Sequence, residues 1–194
     1  GQGYIQTTPI QLCLMTAQLA NGGFKINPKI IVDNNQNTLD EIKFQMAENA
    51  KKDKNILSNL EVVEDLFNIK KNDYQKLYEK SENIKIVLDA MFGSTNETWG
   101  TSYSSRIEDP KYQFAGKTGT AQVKRISERA RELDLKTEDI KYQDRDHALY
   151  VAFGPYKNPR YALSIIVEHG GSGSSTAAPI AKKLFKLIID RHEL

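Results

Sequence analysis

One cysteine, Cys13, occurs in 194 residues, so the chain cannot close an internal disulfide and is no disulfide-built scaffold. Cys13 lies in an apolar helical pattern and reads as a small core residue. Histidine is almost as scarce, with three copies set far apart from the cysteine, and no zinc-ligand spacing arises. No apolar run approaches the roughly 20 residues that cross a bilayer, and no secretory leader pattern is present. There is no excess of either charge: 27 basic against 25 acidic residues leave a net +2, which gives no electrostatic reason to expect nucleic acid or an anionic membrane as partner. Internal repeats are lacking as well. What remains, 39% hydrophobic and 27% charged, is the composition of an ordered globular domain on the polar side.

The opening "GQGYIQTTP" has no Met and already lies inside a patterned segment, so the chain is expected to be a piece of a larger protein. A helix is expected from Pro9 to about Ala20. Thr8 suits the N-cap, Pro9 the first helical position, and Gln11 completes a capping box; Leu12, Met15 and Leu19 form the apolar stripe, and Asn21-Gly22-Gly23 stops it. From about 34 to 80 the chain is rich in Lys and Asn, with short amphipathic pieces such as "LSNLEVVEDLF", and reads as a polar surface insertion with one or two short helices. Ser81 suits the cap of a second helix through Ile84, Val87, Leu88 and Met91, ended by Gly93 and followed by the loop "GSTNETWGTSYSS".

Three strand patterns follow, near 113–123, 148–154 and 161–169. The short turn "PYKNPR" makes the last two an antiparallel hairpin. The first two are joined by a long connection, 124–146, with seven basic and seven acidic residues; loops of that length in ordered domains are often functional. A last helix, from about Thr176 to His192, shows Ile180, Leu184, Leu187 and Ile188 on one face. Helices segregated from an antiparallel meander give an α+β layer fold.

The chemistry centres on "QFAGKTGTAQV". Gly116-Lys117-Thr118 ends like a phosphate-binding loop, but Lys111 occupies the position of that loop's first glycine, and no apolar strand with a glycine-rich turn precedes it. The competing reading is a strand in which Lys117 and Gly119 face one way, Thr118 and Thr120 the other. A glycine there marks close approach of a ligand or another backbone. From these four residues alone, a binding wall for a carboxylate and a plain edge strand with surface threonines stand equal.

More of the chain bears on the choice. Lys-Thr-Gly is the third motif of the penicillin-binding protein and serine β-lactamase superfamily, beside S-x-x-K and S-x-N. "GQGYIQTTPIQL" resembles the segment after the second motif in class B penicillin-binding proteins. "FAGKTGTAQV", "RDHALYVAFGPY" and "YALSIIVEHGGSGSSTAAPIAKKL" resemble the third-motif strand, its neighbours and the closing helix of the penicillin-binding protein 2 branch. The resemblance covers most of 1–33 and 84–192, and residues 34–80 have no counterpart in it.

The resemblance implies the C-terminal part of a transpeptidase domain over residues 1–194. A serine of the family attacks the penultimate D-alanine carbonyl of a peptidoglycan stem peptide, and β-lactam antibiotics mimic that D-Ala-D-Ala end. Carried over by position, Lys117 supplies positive potential, Thr118 and Thr120 hydrogen-bond the substrate carboxylate, the Thr120 amide is an oxyanion donor, and Gly119 keeps the strand clear. No metal or cofactor is implied. The implied partners are the stem peptide, β-lactams, the missing N-terminal part and wall-synthesis proteins, at the periplasmic face of the inner membrane for the complete protein.

S-x-x-K occurs nowhere in the chain, so the nucleophile is absent from it and the isolated chain is expected to be inactive. Ser94-Thr95-Asn96 spells S-x-N but follows the GQG segment, whereas the family's second motif precedes it. Competing readings are a β-lactamase-like hydrolase, a non-catalytic remnant that binds partners, and a nucleotide-binding fragment. His147 and His169 read as ordering and turn residues. Trp99 and Tyr103 are candidates for lining the groove, and the 124–146 loop for gating it or meeting a partner.

Overall fold

The structure, a computed structural model, describes residues 6–28, 75–123 and 139–192. The amphipathic pieces expected within 34–74, the GQG residues and most of the 124–146 connection lie outside them.

Helix α1 spans Pro9–Ala20 with the capping box in place: the Gln11 amide donates to Thr8 Oγ1, and Gln11 Oε1 accepts from the Thr8 amide at 2.8 Å. Asn21 then caps the end, and the chain turns through Gly22 at φ +92°. The stripe differs from the expected one. Met15 is 44% exposed, while Thr16 is fully buried. Thr16 fits because its hydroxyl donates to the Leu12 carbonyl at 2.8 Å, so its own polar group is not left unpaired. Cys13 is half-buried, and its thiol donates to the Ala162 carbonyl at 3.4 Å.

Helix α2 spans Ser81–Asn96, longer than the pattern suggested. Lys80, not Ser81, is the N-cap residue and makes no side-chain bond. Gly93 does not end the helix; Trp99 folds back over it, and the last turn carries the Ser94-Thr95-Asn96 triplet. Ile84, Leu88 and Met91 are buried as expected, whereas Val87 is exposed.

Strands β1 (Ala115–Ala121), β2 (His147–Gly154) and β3 (Tyr161–Val167) form an antiparallel sheet in the order β1-β2-β3 among the described residues. The β2–β3 hairpin is the expected one, with a cis bond at Gly154–Pro155. Strands β1 and β3 are shorter than their sequence patterns, while β2 gains His147 at its start. After β3 comes a π-helical turn, Gly173–Ala177, and helix α3 begins at Ala178 and runs to His192. The buried face of α3 is Ala178, Ala181, Phe185 and Ile189; of the expected stripe, Leu187 is 66% exposed and Ile180 is exposed. The two alanines let the helix axis approach the sheet, and Phe185 stacks on Phe114 at 4.9 Å.

The result is an α+β layer fold. One sheet face carries Ala148, Tyr150 and Ala152 against α3; the other carries Ala115 and Phe153 against Ile84, Leu88 and Met91 of α2, with Leu19 of α1 at the margin. Residues 75–78 return from the span at 29–74 and bridge to 23–25: the Lys25 amide donates to the Gln75 carbonyl and the Leu77 amide to the Gly23 carbonyl, both at 2.9 Å.

Candidate active site

Strand β1 is an edge of the sheet among the described residues, and its register fixes the faces. Lys117 pairs with Val151 and Gly119 with Leu149, on the α2 side; Thr118 pairs with Tyr150 and Thr120 with Ala148, on the α3 side. The alternation read from the sequence is therefore present. It does not keep Lys117 and Thr118 apart. At an edge a long stem reaches round the strand, and the Lys117 ammonium donates to the Thr118 carbonyl at 2.9 Å and to its hydroxyl at 3.3 Å. Both Lys117 and Thr120 are exposed.

Gly116 sits within β1 because another side chain fills its place. A Cβ there would lie 2.4 Å from the Tyr150 hydroxyl and 2.6 Å from the nearest ring carbon. The Tyr150 ring passes beneath Gly116 to reach the end of α2 and the turn that follows, where its hydroxyl meets Thr95 Oγ1 at 2.9 Å and Ser102 Oγ at 3.1 Å. Tyr150 is fully buried, and burial raises its phenol above the ordinary tyrosine value. Gly-Lys-Thr is thus mid-strand, with no helix N-terminus behind it, and the phosphate-loop reading fails on geometry.

Gly119 meets a backbone. A Cβ on Gly173 would stand 2.7 Å from the Gly119 carbonyl oxygen and 2.4 Å from that of Leu149, so the π-helical turn lies directly on the strand. The Ser94-Thr95-Asn96 triplet binds α2 to the sheet. Asn96 Nδ2 donates to the Phe114 carbonyl at 2.9 Å and to the Phe92 carbonyl at 3.1 Å, Thr95 bonds Tyr150, and Ser94 Oγ lies 3.3 Å from Thr101 Oγ1. Each residue of the triplet has a structural partner.

Beside Lys117 opens a groove of about 540 Å³, lined by Met15, Leu19, Val87, Trp99 and Thr101 among others. Trp99, 74% exposed, stands in its wall, where ordinary packing is the expectation the sequence favours. Tyr103 does not line it and stacks instead under the Arg106 guanidinium at 4.0 Å. His147 has an ordering role: its Nδ1 accepts the His169 amide at 2.9 Å, and His169, at φ +56°, turns the chain after β3. Thr101 escaped the sequence reading. Its hydroxyl lies 3.3 Å from that of Thr118, a contact across 17 residues with no local signal. Among the described residues no cluster of metal-ligating side chains occurs and no helix is long and apolar enough to cross a membrane.

The model of the penicillin-binding protein transpeptidase domain matches residues 1–186. The chain belongs to the penicillin-binding protein transpeptidase family. Within the family it is of the penicillin-binding protein 2 type. It is 31% identical over 190 residues to the peptidoglycan D,D-transpeptidase MrdA of Salmonella typhimurium and 30% identical to that of Escherichia coli K12, covering 98% of this chain in both cases. It spans about a quarter of the length of these relatives, 26% and 25%. Among solved structures it superposes on penicillin-binding protein 2 of Helicobacter pylori in complex with MreC, at a TM-score of 0.66 and 24% identity over 100% of this chain and 27% of that one. Penicillin-binding protein 2 of Pseudomonas aeruginosa, in complex with WCK 5153, follows at 0.59 and 28%, over 99% and 33%. These neighbours share the α+β transpeptidase fold with this chain.

Proposed function

We propose that residues 1–194 form one wall of the active site of a peptidoglycan D,D-transpeptidase, and that the nucleophilic serine comes from a segment outside them. The observation that carries this reading is the meeting of the Lys117 ammonium and the Thr118 hydroxyl on a strand at the edge of the sheet among the described residues, beside an apolar groove. An ammonium and a hydroxyl on exposed backbone suit the terminal carboxylate of a D-Ala-D-Ala stem peptide or of a β-lactam.

In this reading Lys117 supplies positive potential, and Thr118 and Thr120 hold the carboxylate. The Thr120 amide donates to the oxyanion as the tetrahedral intermediate forms. The serine acylates on the penultimate D-alanine, D-alanine leaves, and an amine of a neighbouring strand resolves the acyl-enzyme. Met15, Val87 and Trp99 offer an apolar seat for the segment that brings S-x-x-K beside Lys117. The complete protein works at the periplasmic face of the inner membrane with other wall-synthesis proteins.

The test is labelling with a fluorescent penicillin. Residues 1–194 alone are expected to stay unlabelled, and the full-length protein that carries them to be labelled covalently. Labelling of the isolated chain would sink the divided site. An upstream coding sequence without S-x-x-K in frame would sink the transpeptidase reading.

A further inference from the structure

Among the described residues two groups hydrogen-bond the Thr118 hydroxyl, and together they decide where its proton points. Thr101 Oγ1 lies 3.3 Å away on one side, and the Lys117 ammonium donates to it from 3.3 Å on the other. Behind Thr101 stands Ser94 Oγ, also at 3.3 Å. Ser94, Thr101 and Thr118 therefore form a row of three hydroxyls leading from the end of α2 to the strand edge.

We propose that Thr101 is a positioning residue, whose hydroxyl aims that of Thr118 at a carboxylate-bearing ligand. The inference rests on the transpeptidase reading above and adds a residue to it. A hydroxyl carries one proton and two lone pairs. Lys117 has no acceptor, so it occupies one lone pair of Thr118. If Thr118 donates to Thr101, no proton is left for an anion. If Thr101 donates to Thr118, both lone pairs are filled and the Thr118 proton is free to bond outward. An anion at the strand edge selects the second arrangement, and a row of hydroxyls donating in one direction strengthens each bond along it. The spacings of 3.3 Å exceed the usual ~2.8 Å of hydroxyl pairs and leave room to tighten as the row polarises.

Thr101 is well held for this task. Its neighbour Ser102 is fully buried and donates twice to the Ser94 carbonyl, from its amide and its hydroxyl, each at 2.9 Å. Ser102 also bonds Tyr150, the partner of Thr118 across the sheet. The backbone under Thr101 is thus tied to α2 and to β2, while its side chain stays at the groove wall.

The experiment is a double-mutant cycle in the full-length protein, read as the second-order rate of covalent labelling by fluorescent penicillin. Thr101→Val is expected to slow labelling about fivefold, a share of what a hydrogen bond to a charged group contributes. Thr101→Ser is expected to keep the parent rate. In a Thr118→Val background, Thr101→Val is expected to change nothing further. Thermal midpoints of the four proteins separate a folding defect from a positioning one. Parent-like labelling of Thr101→Val, or an undiminished loss in the Thr118→Val background, would overturn the proposal. A parent protein that takes no label would overturn the transpeptidase reading itself, and the proposal with it.

Discussion

Tyr150 occupies the space in which any side chain at Gly116 would stand. The strand that carries Lys117 and Thr118 is therefore threaded over a buried phenol, and the hydroxyl of that phenol holds the turn bearing Thr101 through Ser102. Gly116→Ala is expected to lower stability by about 1–3 kcal/mol, the range for overpacking, because the ring as well as the hydroxyl is in the way. Tyr150→Phe on the Gly116→Ala background is expected to restore little, since ring carbons remain within 2.7 Å of the added methyl. Urea unfolding of the parent, Gly116→Ala and the double variant measures both; recovery of full stability by Tyr150→Phe would contradict the geometry.

The two faces of α3 offer a clean contrast. Phe185→Ala removes a fully buried ring stacked on Phe114 and is expected to cost about 3–5 kcal/mol. Leu187→Ala, on the exposed face, is expected to stay within about 0.5 kcal/mol of the parent. Comparable losses at the two positions would mean that α3 turns a different face to the sheet.

Lys117 is exposed, so its removal separates function from folding. Lys117→Ala is expected to leave the thermal midpoint within a few degrees of the parent and to slow penicillin labelling by about a hundredfold, as loss of a preorganised charge does. Lys117→Arg is expected to recover little of the rate, because a planar guanidinium does not replace a compact ammonium folded against the strand. Parent-like labelling of Lys117→Ala would exclude it from the site.

Tyr156 carries a pH signature. Its phenol is pushed up to about 12, first by burial and then by the charge and hydrogen bond of Asp89. The folded state thus holds the proton over a range where the unfolded chain, with a value near 10, has released it. Where the folded state binds more protons, stability falls as pH rises. The contribution is complete below about pH 10 and is lost as pH climbs toward about 12. Chemical unfolding at about pH 9 and about pH 11, on either side of the unfolded value, is expected to show this decline, and Tyr156→Phe to reduce it; an equal decline in the variant would remove Tyr156 as its source.

Local signals carry much of the fold. The capping box of Thr8 and Gln11 sets the start of α1 within the sequence itself, and the short polar turn between β2 and β3 announces the hairpin. The features that differ are those in which tertiary contacts outweigh local preference. Gly93 reads as a stop, yet α2 continues because Thr95 and Asn96 find partners on β2 and before β1. The apolar pattern puts the α3 stripe on large residues, whereas the sheet is approached by Ala178 and Ala181, whose small size permits contact. At the candidate site, Lys117, Thr118 and Thr120 are legible as a motif. Thr101 is not, because its link to Thr118 exists only once α2 and its following turn are laid along the strand.

The neck formed where residues 23–25 meet 75–77 has a practical meaning. Two backbone bonds and the edge-to-face pair of Phe24 and Tyr78 fasten both arms at one place, well away in sequence from β1. Lengthening a loop closed at such a point costs only about 0.6 kcal/mol per doubling. With its two ends held together where residues 23–25 meet 75–77, the intervening sequence is where an affinity tag or an epitope is expected to be spliced in at little cost in stability.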